Sequence, residues 1–316
     1  MRVAIYGSGG VGGYFGGLLA QAGHAVTFLA RGDHLRAIQQ DGLRVLSANG
    51  DFHIHPARAT DDPAQVGPVD TVIVAVKHYH LGEVVARLAG LVGPQTMVAP
   101  LLNGVDAPEL LTAAVRPGAV IGGLCSLVAL VESPGVIRQP SRLRRVVLGE
   151  LDGAPSPRVA RLVEALAACG VDAVQSADIQ AAMWSKFVFI ASFGGITSLA
   201  RATAGEVRQC PETRALLAQA MGEVEAVGRA QGIRLAPDVV AGALATVDAF
   251  EAGATSSMQR DVAAGRPFEL DAFSGEVVRR GLALGAPTPV HRAIYALLRP
   301  ALLRAGQVKG AATDAQ

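Results

Sequence analysis

The chain has 316 residues, 50% of them apolar and 4% aromatic, with 28 Lys and Arg against 27 Asp and Glu. That length fits one large or two medium domains with an ample core, and a formal charge of +1 argues against nucleic acid or a polybasic membrane surface as the partner. The three cysteines, Cys125, Cys169 and Cys210, are scattered without a C-x-x-C pair; they fit a reducing compartment, offer no zinc site, and their roles stay open.

Met1 to Tyr6 reads as a short apolar strand. It runs into Gly7-Ser8-Gly9-Gly10-Val11-Gly12 and a small-residue helix to about Ala22, with Gly23 as its stop and a second strand over Ala25 to Ala30. Strand, G-x-G-x-x-G and helix in this order form a dinucleotide-binding signature. Gly7 permits the tight turn, Gly9 lets backbone approach a pyrophosphate, and Gly12 lets the helix pack closely on the strand. The helix N-terminus then presents N–H groups to phosphate oxygens. The competing reading is a glycine-rich turn in some other α/β protein. Residues 7 to 12 are taken as cofactor-binding. The second strand ends Leu29-Ala30-Arg31, without the Asp or Glu that takes a ribose 2′-OH in NAD sites. Arg31 can face a 2′-phosphate instead, because a guanidinium fork matches two phosphate oxygens. The cofactor expected is NADP(H). A solvated Arg31, with Asp33 serving the ribose, is the alternative.

Asp33 to Gln40 reads as a short helix closed by Gly42, and Leu43–Ser47 and Phe52–Pro56 alternate across Asn49-Gly50 as a hairpin. His53 and His55 share a strand face, but no third ligand is near in sequence, so they read as exposed hairpin positions and no metal is expected. Asp70 to Val76 is nearly all apolar, as a strand buried on both faces should be. It ends at Lys77, before a helix over Leu81 to Leu91. The next strand, Thr96 to Leu102, ends at Asn103-Gly104. Helix 106–115, strands 119–124 and 145–149, helix 156–168 and strand 171–175 are read as completing a doubly wound sheet with extra antiparallel pieces. Lys77 and Asn103 stand at the carboxyl ends of parallel strands, where such sheets bind ligands. Lys77 could reach cofactor phosphate or ribose, and Asn103 a carbonyl substrate or the cofactor. Asn-Gly is also a common turn pair.

From about Asp178 the period changes to 3.6. Ala181 to Ser192, Pro211 to Gln231, Pro237 to Gly253, Ser256 to Gly265, Asp271 to Gly285 and Thr288 to Leu303 read as helices. The fold class expected is α/β: a Rossmann-type dinucleotide-binding domain over 1–177, an all-helical substrate and catalytic domain over 178–305, and a frayed tail over 306–316. The N-terminus breaks into glycine too soon for a signal peptide. The longest apolar stretch, Phe187 to Ala200, is too short to span a bilayer and holds Ser, Thr and two Gly. A soluble, cytoplasmic protein is expected. Ala- and Leu-rich helices would permit a homodimer.

Lys186 is the only lysine between Lys77 and Lys309, and its surroundings, Trp184 to Ile190, are very apolar. Burying an ammonium is costly unless it is paired or its pKa falls, and a lysine so placed is a good general acid or base. The plain alternative is a snorkelling lysine at a helix edge. Ser257 lies in the first turn of a helix. Glu269, between Phe268 and Leu270, could cap the next helix, hold a substrate hydroxyl, or tune Lys186 through its charge.

Together these clusters resemble the ketopantoate reductase (2-dehydropantoate 2-reductase) family over about residues 1 to 303. The resemblance rests on Gly7-x-Gly9-x-x-Gly12, Arg31, Val76-Lys77, Asn103-Gly104 and Trp184-x-Lys186. It rests also on Ser256-Ser257-Met258-x-x-Asp261 with Arg266 and Glu269-x-Asp271. It implies NADPH-dependent reduction of a 2-oxo acid to a 2-hydroxy acid, normally ketopantoate to pantoate on the route to pantothenate and coenzyme A. Carried over by position, Lys186 is the general acid and Glu269 engages the substrate's hydroxyl and oxygen network. Asn103 and Ser257 bind substrate, and Lys77 and Arg31 bind cofactor. Three positions depart from the family pattern: Ile190, Gly194 and Ala254 stand where it has asparagines. Residues 186, 190 and 194 share a helix face, so a family member acting on a less polar 2-oxo acid is the first alternative. A non-catalytic NADPH-binding sensor is the second, and it would be marked by loss of the acid.

Overall fold

A computed structural model describes residues 1–306. The expectation of a frayed tail falls, from 307 on, outside the described residues. The chain divides into two compact units, Met1–Ala182 and Met183 onward.

The first unit opens β1 (Arg2–Tyr6), α1 (Gly10–Gln21), β2 (Ala25–Leu29), α2 (Gly32–Asp41). It continues with β3 (Leu43–Ser47), β4 (Phe52–Ile54), β5 (Arg58–Thr60), β6 (Thr71–Val74), α3 (Leu81–Arg87) and β7 (Met97–Pro100). Then come α4 (Ala107–Thr112), β8 (Gly122–Leu127), β9 (Leu130–Ser133), β10 (Val136–Gln139), β11 (Arg144–Gly149), α5 (Pro157–Ala168) and β12 (Asp172–Gln175). Five strands form a parallel sheet in the order β5-β2-β1-β6-β7. The chain winds outward from β1 through β2 to β5, then returns beside β1 at β6, so the switch point lies between β1 and β6. Because strand side chains alternate, β1 feeds two cores. Val3 and Ile5 pack with Tyr14, Phe15 and Leu19 of α1, while Ala4 and Tyr6 pack with Leu81 and Val84 of α3. A sheet covered on both faces is the reason these strands read as unbroken apolar runs.

Three details differ from the sequence expectation. The strands do not complete one doubly wound sheet: β8, β11 and β12 form a separate three-stranded sheet, and β4-β3-β10-β9 a four-stranded one. An isolated parallel bridge, Val98 to Val120, links the region before β8 to β7. β5 and the β9–β10 hairpin, turning at Gly135 (φ +76°), were not expected; three or four residues are too few for alternation to show. The helix expected over Leu81 to Leu91 is α3 flanked by 3-10 turns at His78–His80 and Leu88–Leu91. The expected hairpin is present, with Leu43 opposite Ile54 and Val45 opposite Phe52. His53 and His55 are exposed and their rings stack at 5.7 Å. The His53 Nε2–H donates to Asp41 O at 2.7 Å. Among the described residues no group of three or more His, Cys, Asp or Glu is placed to hold a metal.

The helical half runs α6 (Ile179–Ala200), α7 (Ala204–Gln209), α8 (Pro211–Ala230), α9 (Val239–Asp248), α10 (Ser257–Ala263), α11 (Glu276–Leu284) and α12 (Pro289–Arg304). α6 begins just before the second unit and continues eight residues past Ser192, through Gly194-Gly195. At 22 residues it is long and apolar enough to cross a bilayer, which corrects the expected shortness, and 61% of its most apolar window is buried inside the fold. α7 was not expected. Its capping box is complete: Glu206 N donates to Thr203 Oγ1 at 3.3 Å and Thr203 N to Glu206 Oε2 at 2.7 Å. The helix expected from Asp271 to Gly285 starts with a π turn, Asp271–Gly275, before α11.

Candidate active site

The loop after β1 has the backbone its glycines require. Gly7 has φ +98°, and a Cβ there would lie 2.6 Å from Val76 Cγ1. At Gly12 a Cβ would run into Gly7 O, and at Gly10 into Ala129 O. Gly9 differs: a Cβ there meets nothing within 4 Å, so the space in front of it is open. Gly13 N donates to Gly9 O at 2.7 Å. The N–H groups ahead of that bond, Gly9 to Gly12, precede the helical ladder and are those an anion can take. Gly9, Gly10 and Val11 are also half-exposed. An open approach at Gly9 and a helix N-terminus behind it fit the pyrophosphate of a dinucleotide.

Ser8 is buried and turned inward. Its N–H and hydroxyl both donate to Leu29 O, at 3.2 and 3.1 Å. Its own carbonyl accepts from His34 Nε2–H at 2.8 Å, while His34 Nδ1 accepts from Gly135 N at 3.0 Å. The two bonds fix the tautomer, since a backbone N–H can only donate. His34 therefore ties the glycine loop to the β9–β10 turn. Sequence reasoning missed this residue, whose partners lie far along the chain.

Arg31 follows β2 and takes the N-cap position of α2. Its Nη1 lies 2.5 Å from Glu83 Oε2, with both side chains about half exposed. Lys77 follows β6 and stands at the N-cap position of the His78–His80 turn. Asn103 follows β7, ahead of Gly104 at φ +105°, so it is both a turn residue and a residue at the strand's carboxyl end. A hydrogen-bonded pair joins these two loops: His78 Nε2 lies 2.8 and 2.9 Å from the two Asp106 oxygens. The pair ties the loop after β6, which carries Lys77, to the loop after β7, which carries Asn103. Neither His78 nor Asp106 was singled out from sequence.

In the second unit, two segments meet α6, the start of α10 and the π turn. Phe187, next to Lys186, packs edge-on against Phe273 at 6.4 Å. Gly194 faces Phe273 and Met258, where an added Cβ would lie 3.5 and 3.8 Å away. Thr197 Oγ1 lies 3.0 Å from Ser256 Oγ. Ser256 caps α10 by accepting from Gln259 N at 3.0 Å, which leaves Ser257 as the first helical residue, half-buried. Lys186 and Ile190 are half-buried and Gly194 buried on the same α6 face. Glu269 is 5% exposed. Glu269 O accepts from Phe273 N at 3.1 Å, and Leu270 stands at the N-cap position of the π turn, so the backbone of Glu269 takes part in this helix start. π turns recur at functional sites, and this one begins two residues after Glu269. Asp261 and Asp271 have structural partners: Asp261 binds Arg266 at 2.9 Å, and Asp271 accepts from Tyr295 Oη and Arg299 Nη1, each at 2.8 Å.

Comparison with known proteins decides the family. Residues 3–153 match the family model "Ketopantoate reductase PanE/ApbA", and residues 178–301 match "Ketopantoate reductase PanE/ApbA C terminal". The chain belongs to the ketopantoate reductase family. It is 32% identical to the 2-dehydropantoate 2-reductase of Mesorhizobium japonicum, over 95% of this chain and 97% of that one. It is 31% identical to the uncharacterized oxidoreductase YkpB of Bacillus subtilis, over 95% and 98%. The crystal structure of 2-dehydropantoate 2-reductase from Geobacter metallireducens GS-15 superposes with a TM-score of 0.89 at 30% identity, over 95% of this chain and all of that one. Membership makes the protein an oxidoreductase of Rossmann-type α/β fold with a helical C-terminal domain.

Of the three positions where the sequence departs from the expected asparagines, two lie on α6 and one outside it. Ile190 and Gly194 stand one and two turns beyond Lys186, and Ala254 lies in the α9–α10 connection. The Ala254 carbonyl accepts from Ala204 N at 2.9 Å, so residue 254 helps set the start of α7 through backbone alone.

Proposed function

We propose that this protein reduces a 2-oxo acid to a 2-hydroxy acid with NADPH, ketopantoate being the first substrate to test and its product, pantoate, feeding pantothenate and coenzyme A synthesis. The supporting observation is that Lys186 stands on an apolar helix in a chain whose two halves both match the ketopantoate reductase models. The sensor alternative would require the acid to be lost. NADPH, when bound, supplies the hydride. On this reading residues 1–177 hold the cofactor: Gly9 to Gly12 through backbone N–H groups, Arg31 at the 2′-phosphate, Lys77 at phosphate or ribose. Residues 178–305 carry the acid chemistry. Lys186 stabilises the negative charge that grows on the substrate oxygen and delivers a proton to it, and such stabilisation in a water-poor site is usually the largest catalytic term. Glu269 engages the substrate's hydroxyl and oxygen atoms; Asn103 and Ser257 orient the acid. NADPH oxidation by purified protein against a panel of 2-oxo acids tests the reading, and no turnover with any of them would favour the sensor.

Arg31→Ala should weaken NADPH by about 1.5–3 kcal/mol, the range for hydrogen bonds to charged groups, and leave NADH nearly unchanged. Fluorescence titration of both cofactors checks this. Equal losses would show that Arg31 does not read the phosphate.

The pocket wall bears on the substrate. A site built to bond a hydroxyl rejects analogues lacking it, because its own polar groups are left unpaired. With Ile190, Gly194 and Ala254 in place of asparagines, that rejection should relax. The wild-type enzyme should tolerate 2-oxo acids without the 4-hydroxyl better than a typical family member does, and should bind ketopantoate weakly. Ile190→Asn with Gly194→Asn should move kcat/KM toward ketopantoate. At position 194 the new Cβ enters at ordinary contact distance from Phe273 and Met258. A wild-type preference for ketopantoate by a factor of about a thousand or more would overturn the relaxed-pocket reading.

A further inference from the structure

Arg31 has no carboxylate beside it in strand β2, yet the fold brings one. Glu83, in the first turn of α3, places Oε2 2.5 Å from Arg31 Nη1, from 52 residues along the chain. Other charges border the pair. His80 Nδ1 lies 3.8 Å from Glu83 Oε1. Arg87, at the end of α3, is bound by Asp62 Oδ1 and Asp61 O, each at 3.1 Å. Tyr6, the last residue of β1, stands among them: burial raises its pKa, Arg87 and Arg31 oppose the rise, and Glu83 adds to it. The group thus gathers residues from the carboxyl ends of β1, β2 and β5, where a doubly wound sheet seats the ribose of a dinucleotide.

We propose that Glu83 is a specificity-determining residue for the cofactor: its carboxylate holds Arg31 and accepts from a ribose 2′-hydroxyl, and it opposes a 2′-phosphate. This rests on the reading of Arg31 as the residue that meets the phosphate. A carboxylate at this place does what the strand-end acid does in NAD sites, while Arg31 does what NADP sites need. One pair therefore presents both readers, and each lessens the other's effect. When a 2′-phosphate arrives, the guanidinium is shared between two anions that repel each other. The ion pair is exposed, so its own contribution is small. Its cost to a dianionic ligand is larger than to a neutral hydroxyl. The cofactor preference for NADPH is accordingly narrower than Arg31 alone would give.

The test uses full-length protein and two ligands that differ only at the 2′ position, 2′,5′-ADP and 5′-AMP, titrated by calorimetry into wild type, Glu83→Gln and Arg31→Ala. Glu83→Gln keeps an acceptor for the hydroxyl and removes the charge. It should tighten 2′,5′-ADP by about five- to tenfold, and leave 5′-AMP within about twofold. Arg31→Ala should collapse the ratio of the two affinities. A packing role for Glu83 would shift both ligands together. If Arg31→Ala collapses the ratio and Glu83→Gln leaves it at the wild-type value, lowers it, or moves both ligands alike, Glu83 has no part in the discrimination and Arg31 keeps its role. If Arg31→Ala leaves the ratio unchanged, the Arg31 reading falls and the Glu83 proposal with it.

Discussion

Lys186→Ala is expected to lower kcat by at least about two orders of magnitude, the lower end of what a positioned general acid contributes, while NADPH affinity holds. The expectation follows from where the residue stands. α6 is apolar along its length, with Trp184, Phe187, Val188 and Ala191 buried around the lysine's turn. The apolar neighbours of the half-buried lysine lower the local dielectric on one side, which strengthens its interaction with charge forming on a substrate oxygen. The proposed cofactor residues lie in the other unit, so the loss should appear in kcat and in single-turnover rate rather than in cofactor binding. Lys186→Arg sharpens the experiment. Arginine keeps the positive charge but does not give up a proton near neutral pH. It should restore part of the electrostatic effect and none of the proton transfer. Near-wild-type turnover of Lys186→Ala would remove the lysine from the mechanism. Glu269→Ala should likewise reduce turnover with cofactor affinity spared; a variant that merely unfolds would return Glu269 to a structural role.

What the sequence disclosed about this site depended on how local each constraint is. Gly7, Gly9 and Gly12 were legible because the steric demands of a turn and a helix start act within six residues. Lys186 was legible as a charge in an apolar run, and Ser257 as a first-turn position. Glu83 was not, because its pairing with Arg31 depends on how β2 and α3 come together in space. His34, His78 and Asp106 escaped for the same reason: each joins loops that only the sheet order brings close. The separate β8-β11-β12 sheet was read as part of the main one, since strand pairing is a long-range choice that alternation does not encode. α7 is a different case. Its signal, Thr203-x-x-Glu206, stood in the sequence as a capping box, but six residues gave too short an apolar period to stand out.

His291 gives the protein a pH-dependent stability that is separate from its chemistry. The ring is fully buried in the helical unit, where Nε2–H donates to Ala220 O and Nδ1 accepts from Ser274 Oγ–H, each at 3.1 Å. The carbonyl can only accept, so Nε2 carries a proton, and burial favours the neutral ring, in which Nδ1 accepts. Burial, the larger influence, pulls its pKa down from 6.5 to about 4, with the bond to Ala220 acting the other way. A base whose folded pKa lies below its unfolded one stabilises the fold fully above the unfolded pKa, and that stability drains away as pH falls through the folded pKa. The window here is pH 6.5 down to 4, and the loss is about 3 kcal/mol across it. Nearby Glu223 works in the opposite sense. It accepts from Val290 N and His291 N at 2.7 and 2.9 Å, and burial raises its pKa, so protonation favours its folded form. The measurement is therefore a difference: urea unfolding of wild type and His291→Gln at pH 7 and pH 4. Gln keeps a donor and an acceptor for the two partners and does not titrate. The stability advantage of wild type over the variant should shrink by about 3 kcal/mol on going to pH 4. An advantage that stays constant between the two pH values would show that the ring is charged or solvated in the folded protein.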